Sequence, residues 1–231
     1  MRHELKYVIT PIQYHLLKGR LQAFMKRDGH AGKDGNYFIR SIYFETPGAD
    51  TLAEKENGVD NRKKYRIRYY ENNPKKSFLE CKSKKGTRIS KSTYELTEEE
   101  RDLLLDGKDP FPENGLCGDG NVLEELVMQM KARRFAPAIV VDYLREAYVY
   151  DVSNVRITFD KELAGGNVEN CLQKKRFLPN ILAPGDMILE VKYDDYLPAH
   201  ISEILSGVGL TQVAASKFGM CMKKKLEGQI V

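Results

Sequence analysis

Apolar and polar side chains alternate with a period of two along much of this chain, the pattern of half-buried strands rather than of helices. Eight regions show it: Glu4 to Ile9, Tyr37 to Phe44, Lys64 to Tyr70, Ser77 to Lys82, Thr87 to Leu96, Ala138 to Tyr150, Val155 to Asp160 and Met187 to Tyr193. All are rich in β-branched and aromatic residues. Asn72-Asn73-Pro74, Lys84-Lys85-Gly86 and Asp151-Val152-Ser153-Asn154 predict turns between them. Helical spacing is rarer. Pro11 to Met25 carries Thr10 as N-cap, Pro11 at the first helical position, and an apolar stripe of Ile12, Leu16, Leu17, Leu21 and Phe24. Thr97-Glu98-Glu99-Glu100 is a capping box that opens a helix to about Leu105. Val122 to Arg134, Pro198 to Leu205 and Ser216 to Leu226 complete the expected helices.

The polar positions of the strands repeat one chemistry. Glu4 and Lys6 share a face opposite Leu5 and Tyr7, Glu80 and Lys82 oppose Leu79 and Cys81, and Glu190 and Lys192 oppose Leu189 and Val191. Arg66 and Arg68 oppose Ile67 and Tyr69, Tyr143 and Arg145 share a face, and Arg156, Thr158 and Asp160 oppose Val155, Ile157 and Phe159. A single such strand fits a solvated face with cross-strand ion pairs. Recurrent Glu-x-Lys and Arg-x-Arg also fit a closed barrel turned inside out, with charges lining the interior and apolar faces packed outward on helices. Such an interior needs an anionic guest, because like charges repel in a partly desolvated space. A phosphate chain answers it: arginine offers a planar bidentate donor and lysine a point charge, while carboxylates can hold Mg²⁺ or Mn²⁺.

Composition narrows the classes. The 231 residues suit one domain spanning 1–231, and no linker divides them convincingly. With 42% hydrophobic and 30% charged residues the chain can build a core. A net charge of +4, from 37 basic and 33 acidic residues, gives no electrostatic case for nucleic acid. Tyr69, Tyr70 and Phe159 sit mostly opposite the charges, which weakens an RNA-stacking surface. Cys81, Cys117, Cys171 and Cys221 form no CxxC pair, so no zinc site is expected. Met1 to Glu4 runs directly into a strand, with no apolar leader and no stretch near the roughly 20 apolar residues of a membrane span. A cytoplasmic protein with reduced cysteines is expected. His3, His15, His30 and His200 are scattered, and none is placed as a general base.

Arg2-His3-Glu4-Leu5-Lys6-Tyr7, Arg40-Ser41-Ile42-Tyr43-Phe44-Glu45-Thr46-Pro47 and Arg62-Lys63-Lys64-Tyr65-Arg66-Ile67-Arg68 resemble the VTC-type polyphosphate polymerase domain. Leu79 to Lys82, Val155 to Ile157, Leu189 to Lys192 and Ser216-Lys217-Phe218 continue the match in order. That family belongs to the triphosphate tunnel metalloenzymes, related to the CYTH proteins. The resemblance implies an α+β fold: an eight-stranded antiparallel closed β-barrel, the triphosphate tunnel, with helices outside. It implies ATP or another triphosphate as substrate, Mn²⁺ or Mg²⁺ as cofactor, and transfer of the γ-phosphate to growing polyphosphate. Carried over by motif, Lys6, Arg66, Arg68, Lys82, Lys91, Arg145, Arg156, Lys192 and Lys217 bind phosphate with Tyr143. Glu190 is the main metal ligand, with Glu4 and Glu80 as secondary candidates. Arg66, Arg68, Arg145, Arg156 and Glu190 form the expected catalytic set. Hydrolytic members open with Glu-x-Glu-x-Lys, whereas Arg2 here gives Arg-x-Glu-x-Lys, one carboxylate fewer and one cation more. This points to the polymerase branch. A triphosphatase and a non-catalytic polyphosphate-binding module stay open beside it.

Overall fold

A computed structural model describes residues 2–32, 34–71, 73–86, 88–111, 120–169, 171–172 and 178–230. Among the described residues nine strands form: β1 (Arg2–Ile9), β2 (Lys26–Arg27), β3 (Asn36–Glu45), β4 (Arg62–Tyr70), β5 (Ser77–Lys85), β6 (Arg88–Leu96), β7 (Ala136–Tyr150), β8 (Val155–Gly166) and β9 (Met187–Asp194). The helices are α1 (Pro11–Leu21), α2 (Asp50–Glu56), α3 (Glu98–Leu105), α4 (Val122–Arg133), α5 (Ala199–Ser206) and α6 (Lys217–Leu226). The expected α+β class holds, and each of the eight expected strand regions carries a strand. The expected turn at Asn72 and the residue Cys117 lie outside the described residues; Cys81, Cys171 and Cys221 are buried.

The chain divides into two compact units: Met1–Phe38, Asp142–Ala164 and Leu178–Met220 make the first, Ile39–Val141, Gly165–Phe177 and Cys221–Val231 the second. The antiparallel strand order is β1-β9-β8-β7 in the first unit, with β2 pairing off β7, and β3-β4-β5-β6 in the second. Strands β3, β7 and β8 contribute residues to both units.

In the first unit the apolar strand positions turn toward helices. Val155, Ile157, Phe159, Leu189 and Val191 form one core cluster with Leu17 and Leu21 of α1 and Ile201 and Leu205 of α5. Helix α1 begins as its sequence dictates: Thr10 and Gln13 complete a capping box, with Pro11 at the first helical position. Its buried face differs from the expected stripe. Tyr14, Leu17 and Leu21 are buried, whereas Ile12 is 74% exposed and Leu16 and Phe24 are also exposed. A buried carboxylate sets that rotation. Tyr14 and Tyr148 each donate a 2.6 Å hydrogen bond to Glu146, and Lys161 and Lys18 reach it at 2.9 and 3.1 Å.

In the second unit Tyr65, Ile67, Leu79 and Cys81 pack with Leu104 of α3 and Leu123, Leu126 and Val127 of α4. Helix α3 has the expected Thr97–Glu100 capping box. Helix α2 escapes a search for local caps, because Ala49 supplies no side-chain bond. Its cap is Glu45, at the end of β3, whose carboxylate accepts from the backbone N–H groups of Thr51 and Leu52 at 3.0 and 3.1 Å.

Candidate functional site

Each unit carries a charged strand face opposite its helix-covered apolar face. In the first unit the register places Lys6 beside Glu190 and Glu4 beside Lys192. On the other side of β9, Thr158 pairs with Glu190 and Arg156 with Lys192. Alternation along three neighbouring strands thus brings six polar side chains to one surface.

Glu190 is the hub of that surface. Lys217, at the start of α6, lies 2.9 Å from it, Lys192 3.0 Å, Lys6 3.7 Å and Arg145 3.7 Å. Its side chain is only 7% exposed. Burial opposes its charge, but Lys217, Lys192, Lys6 and Arg145 outweigh burial and hold the carboxyl well below the usual range. Asp160 is the second buried carboxylate. Arg145 grips it through Nε at 2.6 Å and Nη2 at 2.7 Å, and Lys217 sits 2.5 Å from Oδ2, the oxygen that also accepts from Nη2. Burial again opposes ionisation, and Arg145 and Lys217 lower its pKa. The rings complete the cluster: Arg145 lies 5.3 Å and Lys217 5.0 Å from the centroid of Tyr143.

A solvated outer face does not fit these residues. Exposed ion pairs leave both partners wet, whereas Asp160, Glu190 and Lys217 are removed from water with their charges retained. Arg156 is held differently, by an ion pair to Asp28 and by the hydroxyl of Tyr37 at 3.0 Å.

The second unit repeats the scheme around Glu80. Arg66 binds it through Nε and Nη2, both at 2.7 Å, and Lys91 reaches it at 2.5 Å. Arg68 stands off at 3.6 Å. Burial opposes the charge of Glu80, but Arg66, Arg68 and Lys91 bring its pKa down to about 2. Arg66 also donates to the hydroxyl of Tyr43 at 2.8 Å. One register row away, Lys64, Lys82 and Lys91 stand side by side across β4, β5 and β6. Lys64 is the least exposed of the three. Burial, then Lys55 and Arg62, push its pKa down to about 8, with Glu45 pulling the other way.

Lys6, Glu4, Tyr143, Arg145, Arg156, Glu190, Lys192 and Lys217 therefore fall in the first unit, with Arg66, Arg68, Glu80, Lys82 and Lys91 in the second. Four partners were not legible as site residues. Asp28 and Tyr37 lie 128 and 119 positions from Arg156, Tyr43 has no charge to mark it, and Lys64 reads as one more lysine in a basic run. Only the even spacing Lys64-x-Arg66-x-Arg68 could have singled out the last.

In the first unit Glu190 and Glu4 are the carboxylates that could hold a divalent cation. No group of three or more His, Cys, Asp or Glu side chains poised for a metal occurs among the described residues. Glu190 and Glu4 nevertheless converge on one cation already, the ammonium of Lys192, at 3.0 and 3.5 Å. Two carboxylates with the remaining positions filled by phosphate oxygens and water match the habit of Mg²⁺. Both oxygens of Glu80 are engaged by Arg66 and Lys91, as both of Glu190 are by Lys217 and Lys192, so a metal at either carboxylate would have to displace an ammonium or guanidinium contact.

A family model described as the VTC domain matches residues 1–225. No curated protein matches the chain. Among solved structures, the Hippeastrum protein HpAC1, a candidate adenylyl cyclase described as having a dominant triphosphatase activity, superimposes with a TM-score of 0.54 at 16% identity, covering 96% of each chain. A candidate adenylate cyclase from Bacillus halodurans gives 0.51 at 14% identity over 92% of each chain. The PH1819 protein from Pyrococcus horikoshii OT3 gives 0.50 at 16% identity, covering 97% of this chain and 99% of its own. At these identities the structures speak for the fold.

Proposed function

Because this chain belongs to the VTC domain family, we propose that it is a metal-dependent phosphotransferase that binds ATP or polyphosphate on its basic strand faces and transfers the γ-phosphate of ATP to a growing polyphosphate chain. The observation that carries this reading is the crowding of Lys6, Lys192, Lys217 and Arg145 around the single carboxylate Glu190. With Asp160 and Glu4 also paired to these four cations, the cluster sets four positive charges against three carboxylates, and a polyanion is the ligand that takes up the remaining positive charge. Closure of the antiparallel strands into a tunnel, as in the triphosphate tunnel enzymes, belongs to the same proposal, as does action by the chain as one domain.

Phosphoryl transfer asks for position and charge stabilisation more than for covalent chemistry. A terminal oxygen of the acceptor chain attacks the γ-phosphorus, the bond from that phosphorus to the β–γ bridging oxygen breaks, and ADP leaves. Arg66, Arg68, Arg145 and Arg156 hold nonbridging oxygens, Lys6, Lys82, Lys91, Lys192 and Lys217 add point charges, and Tyr143 orients Arg145 and Lys217. Glu190 with Glu4 would hold Mn²⁺ or Mg²⁺, which neutralises phosphate charge when bound. Glu80 and Asp160 keep the arginines aligned. An acceptor phosphate is already an anion, so no strong general base is needed.

A triphosphatase is the second reading, since the Hippeastrum protein of similar fold is described with that activity. The loss of an acidic first position at Arg2 favours the polymerase. Incubation with ATP and Mn²⁺ separates them. Long-chain polyphosphate is the expected product. Orthophosphate alone would replace the polymerase by the hydrolase, and polyphosphate binding without either product would leave a binding module.

A further inference from the structure

We propose that Ser41 is a phosphate-binding residue, and that its hydroxyl and the Nε–H of Arg68 together receive one nonbridging oxygen of the chain. This rests on the reading of the second unit's basic face as a phosphate site.

Ser41 and Arg68 are direct register partners on β3 and β4. Alternation puts them on the same face as Tyr43 and Arg66, the next partners of that kind along the two strands. The Ser41 side chain is 0% exposed. Its Oγ is buried with no hydrogen-bond partner among the described residues, and so is Nε of Arg68. A buried polar atom left unpaired costs stability, so native folds rarely keep one without a use. Here two stand at paired positions, and both can donate to one acceptor.

The neighbouring arginine shows why Arg68 is the one held in reserve. Arg66 is the more heavily engaged, with a contact at each nitrogen: Nε and Nη2 bind Glu80 at 2.7 Å and Nη1 binds Tyr43 at 2.8 Å. Arg68 is loosely tied, with Nη1 at 3.5 Å from the Tyr70 hydroxyl and 3.6 Å from Glu80. Arg66 thus anchors Glu80, while Arg68 keeps bonding capacity for an arriving anion. A tetrahedral phosphoryl group suits the pair, because its oxygens carry charge and accept from several directions. The same unit holds a matched contrast. Ser77 is also 0% exposed with an unpartnered Oγ, but its register partners are Tyr69 and Leu96 on the core face. Neither register partner of that hydroxyl is a cation.

Calorimetric titration with inorganic tripolyphosphate tests the assignment on wild type, Ser41→Ala, Arg68→Lys, Ser77→Ala and Arg66→Ala, each checked by thermal melting. Ser41→Ala should weaken binding about tenfold, the usual worth of one such hydrogen bond, with melting unchanged or raised by loss of an orphan hydroxyl. Arg68→Lys keeps the charge, removes Nε–H and should weaken binding similarly. Ser77→Ala should leave affinity unchanged. Unchanged affinity in Ser41→Ala, or an equal loss in Ser77→Ala, overturns the subsite while a loss in Arg66→Ala upholds the phosphate face. Unchanged affinity in Arg66→Ala overturns the phosphate face itself.

Discussion

The ammonium of Lys217 and the carboxylate of Asp160 meet at 2.5 Å, and both side chains are buried. They come from the first turn of α6 and from β8, far apart in sequence. Each holds the other charged against burial: Asp160 and Glu190 raise the pKa of Lys217, while Arg145 and Lys217 lower that of Asp160. The pair is thus a structural premise of the charged face as well as part of it.

Removing one partner should be costly. Lys217→Met leaves Asp160 with Arg145 alone and strips Glu190 of its nearest cation. Breaking a buried pair by deleting one partner costs about 3–5 kcal/mol. Urea denaturation should show a loss of that order. A loss below about 1 kcal/mol, the range of an exposed pair, would mean the site is wetter than its burial suggests.

The Glu146 knot predicts acid sensitivity. Burial opposes its charge, but bonds from Tyr14, Tyr148, Lys161 and Lys18 lower its pKa to about 2. A depressed carboxylate stabilises the fold fully above its unfolded pKa of about 4.3 and loses that contribution as pH falls toward 2. Glu146→Gln should lower the melting temperature at pH 7 and flatten its fall between about pH 4.5 and 2. An unchanged acid limb in the variant would remove Glu146 as its source.

Binding should depend on pH through Lys64. Its pKa, lowered to about 8 by burial and by Lys55 and Arg62, leaves it charged below that value and neutral above. A polyanion favours the charged form, so binding above pH 8 takes up a proton. Tripolyphosphate affinity should then fall with rising pH, by at most about tenfold per unit. Lys64→Met should bind more weakly at pH 7 and show a shallower decline from 8 to 9. An identical slope would place the titrating group elsewhere.

Glu190→Gln separates metal binding from charge balance. Manganese titration followed by electron paramagnetic resonance should show loss of the protein-dependent site, and metal-dependent turnover should disappear. Full turnover in the variant would take Glu190 out of the mechanism.

Much of this was legible in strand alternation. Glu4-x-Lys6, Glu80-x-Lys82 and Glu190-x-Lys192 mark one face because a strand forces alternate residues together. Within each unit the structure brings them to one surface with Arg66, Arg145 and Arg156. What escaped depends on long-range contacts. Asp28 meets Arg156 only because their segments fold together. The stripe assigned to α1 included Ile12 and Leu16, which are exposed, since the Tyr14–Glu146 bond sets the helix rotation and leaves no mark in local periodicity. The cap of α2 likewise lies in the preceding strand, at Glu45.

The central claim is that these charged faces exist to hold a phosphate chain. Titration of the protein with inorganic tripolyphosphate, in wild type and in Arg66→Ala and Arg156→Ala, tests it most directly. The account predicts saturable binding that each substitution weakens by about 1.5–3 kcal/mol, the range of a charge-assisted hydrogen bond. Absence of binding, or affinity that neither substitution changes, would contradict it.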